Sequence, residues 1–239
     1  MTTLLVFGDS LSFQGPDGPC PSDDERLWPN RAATMLGGHA ELFARSGWTA
    51  RDAFWTLAGD PRVWTQLPKV DVLVLAVGSM DTLPSPLPTY LREGLRYLRP
   101  DPFRRWVRDR YVAAQPWLAK GTRGRPVALP PALTVHYLDR ILGSIRMLRP
   151  DLPTVGVVPS VHVAGSYGYV HTGHLAAATA VRAWGERTGV PLLDLPALVG
   201  DHVFGGRANP DGMHWGWEAH ELVGKALADE AGALLRRPG

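Results

Sequence analysis

Two short blocks at opposite ends of the chain hold residue types that can move an acyl group. Gly8-Asp9-Ser10-Leu11-Ser12 follows at once on the apolar run 2–7, and Asp211-Gly212-Met213-His214-Trp215 stands near the other end. A neutral serine is a poor nucleophile until a neighbouring base takes its proton, and that base needs its tautomer held by a third group. Ser10 as nucleophile, His214 as base and Asp211 as orienting acid meet that requirement. Their spacing lets one short turn set Asp211 beside His214. Negative charge then develops on the former carbonyl oxygen, where preformed donors must meet it. The amide of Ser10 is one candidate. The amide of Gly47 is a second, because glycine admits close approach to its N–H. Asp-x-x-His is common by chance; Gly-Asp-Ser-Leu directly after an N-terminal strand is the sharper signal.

These groups meet only if the chain between them folds back regularly. Residues 4–7, 40–44, 70–77, 154–158 and 191–195 read as five strands. The third, VDVLVLAV, is nearly continuous in aliphatics, as a strand covered on both faces is. Helical spacing runs over 27–36, from a Thr49 N-cap to about residue 57, and over 133–148, 173–188 and 217–235. This alternation predicts an α/β fold: a parallel five-stranded sheet between helical layers, joined by right-handed crossovers. Ligands on such sheets bind beyond the carboxyl ends of the strands. Ser10, Gly47, Gly78 and Pro159 each follow a strand and should gather there, with His214 brought in by the loop before the last helix.

Residues 90–131 fit the alternation poorly. Between 89 and 125 ten Lys/Arg face three acids, a local charge of +7 in a chain of net charge +2. We read the segment as an insertion within a single 1–239 domain: a basic helical piece, then a mobile Gly/Pro-rich loop. It is either a lid over the site or passive surface. The charge fits an anionic partner and a solvated helical face equally well. No nucleic-acid-binding motif accompanies it, so no such partner is expected. The chain length suits one core. No apolar run reaches the roughly 18 residues of a membrane span, no leader precedes the first strand, and Cys20 is the sole cysteine. These features predict a cytoplasmic protein.

Several residues near the expected site have two uses. Trp48 beside Gly47 and Trp215 beside His214 are substrate walls or core tryptophans, among nine in the chain. Asp9 and Asp81 brace loops or bind substrate hydroxyls. Gly78 and Met80 lie on the loop after the third strand and are candidates to line the substrate site. His162 follows a strand at the same edge and is a candidate for a substrate hydrogen bond. His162, His171 and His174 are irregularly spaced with no acid or cysteine close by, so no metal site is expected.

Gly8-Asp9-Ser10-Leu11, Gly47, Gly78-Ser79-Met80-Asp81 and Asp211-Gly212-Met213-His214 together resemble the four blocks of the SGNH (GDSL) hydrolase superfamily. The resemblance spans nearly the whole chain outside the insertion. It implies a flavodoxin-like three-layer α/β/α sandwich, a Ser10–His214–Asp211 triad and Gly47 as an oxyanion donor. One block departs. The third usually reads Gly-x-Asn-Asp, its asparagine amide being a further oxyanion donor, and Met80 stands at that position. A thioether cannot donate a hydrogen bond, and losing one such donor costs about 2.7–4 kcal/mol in the barrier. Two backbone amides then suffice, another group substitutes, or the substrate is activated, as a thioester is.

Longer stretches are similar to a narrower group within that superfamily, the diglucosylglycerate octanoyltransferases. They are Asp23-Asp24-Glu25-Arg26-Leu27-Trp28-Pro29-Asn30, Gly47-Trp48-Thr49-Ala50-Arg51-Asp52, Gly78-Ser79-Met80-Asp81, Pro159-Ser160-Val161-His162 and Asp211-Gly212-Met213-His214-Trp215. The similarity implies transfer of octanoyl from acyl-CoA, as substrate and without a cofactor, to a hydroxyl of a glucosylglycerate-type sugar in methylglucose lipopolysaccharide biosynthesis. A carboxylesterase or deacetylase with the same triad is the alternative. A non-catalytic carbohydrate-binding module is a third reading, which the intact triad residues oppose.

Overall fold

The computed structural model describes residues 1–87, 91 and 94–236. Five strands form the central sheet: β1 (Thr3–Gly8), β2 (His39–Ala44), β3 (Val72–Ala76), β4 (Thr154–Val158) and β5 (Leu192–Asp194). All pair in parallel, in the order β2-β1-β3-β4-β5. The winding reverses between β1 and β3, and that switch point is where such sheets leave a crevice. Gly8 lies level with Ala44 on one side and Ala76 on the other. The loops carrying Ser10, Gly47 and Gly78 therefore leave the sheet side by side.

The strands alternate their contacts, because successive side chains point to opposite faces. Leu5, Phe7, Leu73 and Leu75 face one core with α2 (Ala50–Gly59), α5 (Pro131–Arg146) and α6 (His174–Thr188). Leu4, Val6, Val72, Val74, Val155 and Val157 face the other, with α1 (Trp28–Met35), α7 (Leu195–Phe204) and α8 (Trp217–Leu235). The result is the three-layer α/β/α arrangement expected. The short α3 (Pro61–Gln66), α7 and an antiparallel Gln14–Gly15/Gly18–Pro19 hairpin are additions that periodicity does not reveal.

The basic segment holds α4 (Asp101–Gly121), a helix of 21 residues that buries only Ala119. Tyr90, Arg92 and Glu93 of this segment lie outside the described residues. The stretch after α4, expected to be a mobile loop, is tied down instead. Ser85 N–H donates to Pro126 O, Ala128 N–H to Leu83 O and Leu129 N–H to Asp81 O, at 2.8–3.0 Å, and Leu129 is buried. These bonds clip the segment to the loop after β3, which proline and glycine content alone does not disclose. No helix among the described residues is long and apolar enough to cross a membrane.

Candidate active site

Ser10 opens a single 3₁₀ turn, Ser10–Ser12, at the end of β1. Asp9 caps that turn, its Oδ1 accepting the Leu11 N–H at 2.9 Å. The Ser10 side chain is held at the edge of the sheet, only 3% exposed. His214 arrives from the loop before α8, with Nε2 2.8 Å from Ser10 Oγ. His214 Nδ1 is hydrogen-bonded to Asp211 Oδ2. Because Nδ1–H donates to the carboxylate, Nε2 keeps the lone pair that accepts the serine proton. Asp211 Oδ1 also accepts the backbone N–H groups of Met213 at 2.8 Å and His214 at 3.0 Å. Burial opposes charge on Asp211, but the His214 bond and these two amides outweigh it and hold the carboxyl below its usual range.

The turn between acid and base depends on Gly212. Its φ is +70°, and a Cβ there would lie 2.5 Å from Val163 O. Gly212 O in turn accepts the Val163 N–H at 2.8 Å, fastening the triad loop to the segment after β4. Asn209 adds a second tie, its side-chain amide donating to Gly15 O at 3.0 Å.

Gly47 has φ +78°, and a Cβ there would meet nothing within 4 Å. It borders a cavity of about 390 Å³ shared with Arg45, Trp48, Met80, Arg96 and Tyr167. Met80, on the 3₁₀ turn Met80–Thr82, also closes a recess beside Leu11, His162 and Met213. Gly47 and Trp48 thus border the larger cavity, and Met80 borders both it and the recess lined by Leu11 of the nucleophile loop.

The GDSL-like lipase/acylhydrolase family matches residues 6–222. The chain belongs to this family. It is 51% identical over 238 residues to a diglucosylglycerate octanoyltransferase of Mycolicibacterium hassiacum, covering 98% of both chains. A second protein of that name, from Mycobacterium tuberculosis, is 47% identical over 95% of this chain and 92% of its own. Among solved structures, a lipase/acylhydrolase from Enterococcus faecalis superposes with TM-score 0.61 at 14% identity, covering 98% of this chain and 97% of its own. A carbohydrate acetylesterase family member from Sinorhizobium meliloti gives 0.60 at 17% identity, covering 98% and 99%. These two share the fold.

Within this GDSL-family chain, two of the expected substrate contacts, Trp215 and Asp81, are structural. Trp215 is 1% exposed and packs in the core beneath the sheet, edge-on to His220. It cannot wall the site, because its ring points inward from the base of α8. Asp9 is buried, its Oδ1 held by the cap and its Oδ2 without a hydrogen-bond partner among the described residues. Asp81 is wholly buried: Oδ1 accepts the first amide of α2, from Ala50, at 3.1 Å, and Oδ2 accepts the Thr134 hydroxyl at 2.7 Å. It braces α2 and α5 against the loop after β3. Burial pushes both carboxyls up to about 7, against the hydrogen bonds they accept. Gly78 turns the chain out of β3 with φ +120°, and its carbonyl accepts the Asp81 N–H at 3.2 Å.

His162 is buried beside the recess, its ring 3.9 Å from that of His171 between centroids. His171 Nε2 is bonded to Thr82 Oγ1 at 2.9 Å, and His174 Nε2 to Pro159 O at 2.8 Å. No group of three His, Cys, Asp or Glu among the described residues is placed to hold a metal. Arg45, Leu83 and Tyr167 also border the cavity and went unnoticed in the sequence. Tyr167, between glycines after the fourth strand, carried the one usable signal.

Proposed function

We propose that this chain transfers a medium-chain acyl group, octanoyl, from acyl-CoA to a hydroxyl of a glucosylglycerate-type sugar through an acyl-Ser10 intermediate. The carrying observation is the assembled Ser10–His214–Asp211 relay in a chain 51% identical, end to end, to a protein named for that transfer. His214 Nε2 takes the Ser10 proton as Oγ bonds to the thioester carbon. The amides of Ser10 and Gly47 receive the oxyanion. The C–S bond breaks as the His214 imidazolium gives that proton to the departing sulfur, so coenzyme A leaves as the thiol and His214 is neutral again. In the second half, His214 takes the proton of the sugar hydroxyl as its oxygen attacks the acyl carbon. Ser10 regains that proton when the acyl–serine bond breaks. Asp211 stays ionised and stabilises the imidazolium in both halves.

Transfer outruns hydrolysis when the acceptor is positioned, since good orientation is worth effective molarities of about 10⁵ M or more. The cavity bordered by Gly47, Trp48, Arg45 and Tyr167 offers the aromatic and polar surface a sugar needs. A second cavity, of about 550 Å³, is bordered by Arg96, Arg104, Arg105, Arg108 and Tyr111, and Arg96 borders the first as well. Planar guanidinium groups suit the phosphates of coenzyme A. The reading places the enzyme in the cytoplasm, in methylglucose lipopolysaccharide biosynthesis.

Mass spectrometry of the protein mixed with octanoyl-CoA tests this. The expected result is one octanoyl group on Ser10 without acceptor, discharged to an ester when diglucosylglycerate is added, and no adduct on a Ser10→Ala variant. Fast release of octanoic acid at a rate indifferent to the sugar would identify an esterase instead.

A further inference from the structure

The recess beside the nucleophile loop is small, about 10 Å³, the volume of roughly one oxygen atom. Its walls include Leu11 and Met213, the chain neighbours of Ser10 and His214, together with Ser79, Met80, Ser160 and His162. The two serines turn to the backbone: Ser79 Oγ accepts the Ser160 N–H at 2.9 Å, and Ser160 Oγ donates to Val161 O at 3.3 Å. The two methionines bring thioethers, which do not donate.

His162 differs from these. Its Nδ1 accepts the Ala164 N–H at 3.1 Å, so the proton of the neutral ring sits on Nε2. That Nε2–H is buried without a hydrogen-bond partner among the described residues, on a side chain 7% exposed. The ring is held in place by His171 and by Tyr167, 5.8 Å away between centroids. A buried donor left unmade is costly. Burial, helped by His174, lowers the pKa of His162 to about 4. The ring therefore stays neutral near pH 7 and offers a hydrogen bond without offering its proton.

We propose that His162 Nε2–H donates to an oxygen of the reacting substrate seated in this recess, making His162 a catalytic residue of the Ser10 centre. The oxygen is the acyl carbonyl or the entering hydroxyl; both are single acceptor atoms that fit the space. The inference rests on acyl transfer at Ser10 and is independent of the identities of the acyl carrier and the sugar.

Three variants and two rates test it. His162→Phe keeps the ring and removes the donor. His162→Gln sets an amide N–H near the place of Nε2. His162→Asn keeps an acceptor for Ala164 but cannot reach the recess, and it serves if the phenylalanine variant does not fold. The rates are phosphonylation of Ser10 by a p-nitrophenyl alkylphosphonate, which needs neither carrier nor sugar, and discharge of acyl-Ser10 by the acceptor. We expect His162→Phe to slow at least one rate by about 10–100-fold, in the range of one lost donor, with His162→Gln recovering most of it. Slowed phosphonylation assigns the carbonyl oxygen; slowed discharge alone assigns the hydroxyl. Wild-type rates for both steps, with only a lowered unfolding midpoint, would overturn the proposal and leave His162 a packing residue. Wild-type protein that resists phosphonylation refutes the acyl-serine reading itself, a separate failure.

Discussion

Asp211 divides its two oxygens between two tasks. Oδ1 holds the turn through the Met213 and His214 amides, and Oδ2 holds the imidazole. In Asp211→Asn the two backbone donors claim the side-chain carbonyl, which leaves the NH₂ facing Nδ1. The ring must then carry its proton on Nε2, where it cannot accept one from Ser10. The turn survives while the tautomer inverts. We expect kcat for acyl transfer to fall about 10³–10⁴-fold, with little change in the thermal unfolding midpoint. A loss smaller than tenfold, measured by initial rates, would mean that Asp211 does not set the tautomer.

α4 is anomalous among the helices because it buries so little. Phe103, Trp106, Val112 and Trp117 are exposed, and Phe103 and Trp106 stack at 6.1 Å between centroids. Isolated helices are marginal in water. This one leans on the segment after β4, where a Cβ at Gly168 would lie 2.6 Å from Pro116 O. Its arginines border the 550 Å³ cavity that shares Arg96 with the cavity of Gly47 and Met80. Each charged hydrogen bond to a phosphate is worth roughly 1.5–3 kcal/mol. Reversing Arg104, Arg105 and Arg108 to glutamate should therefore raise KM for octanoyl-CoA about tenfold or more. Hydrolysis of p-nitrophenyl octanoate, which carries no phosphate, should be unaffected. Equal changes for both substrates would assign α4 a structural task.

Across the molecule, buried titratable groups set opposing dependences on pH. Burial lowers the pKa of His162 to about 4, of His171 to about 2 and of His220 to about 4. Below about 6.5 the unfolded chain protonates these rings while the folded chain resists, so their stabilisation is lost as pH falls. Asp9 and Asp81, raised to about 7, behave oppositely. Their protonated forms favour the folded state below 3.8, and that advantage disappears as pH rises through about 7. Three histidines outnumber two carboxyls between about pH 4 and 6.5, so stability should climb across that window. It should then ease downward toward pH 7.5 as the carboxyls ionise. Differential scanning fluorimetry from pH 4 to 8 should show a maximum midpoint near 6.5. A midpoint still rising at pH 8 contradicts the carboxyl half of this account.

Strands buried on both faces announce themselves as aliphatic runs, and β1, β3 and β4 were legible for that reason. Ser10, Asp211 and His214 were legible because activating a serine demands those residue types in local motifs. Neither signal says which way a side chain points relative to a layer. Trp48 and Trp215 stand beside motif residues in the same manner, yet one borders a cavity and the other fills the core. Asp81 became a brace through Ala50 and Thr134, 31 and 53 positions away. The pinned stretch after α4 and the burial of His162 Nε2, without a partner among the described residues, likewise follow only from the packing of distant segments. Periodicity and spacing are written along the chain and can be read there; burial and partnership arise when layers pack, and only the folded arrangement decides them.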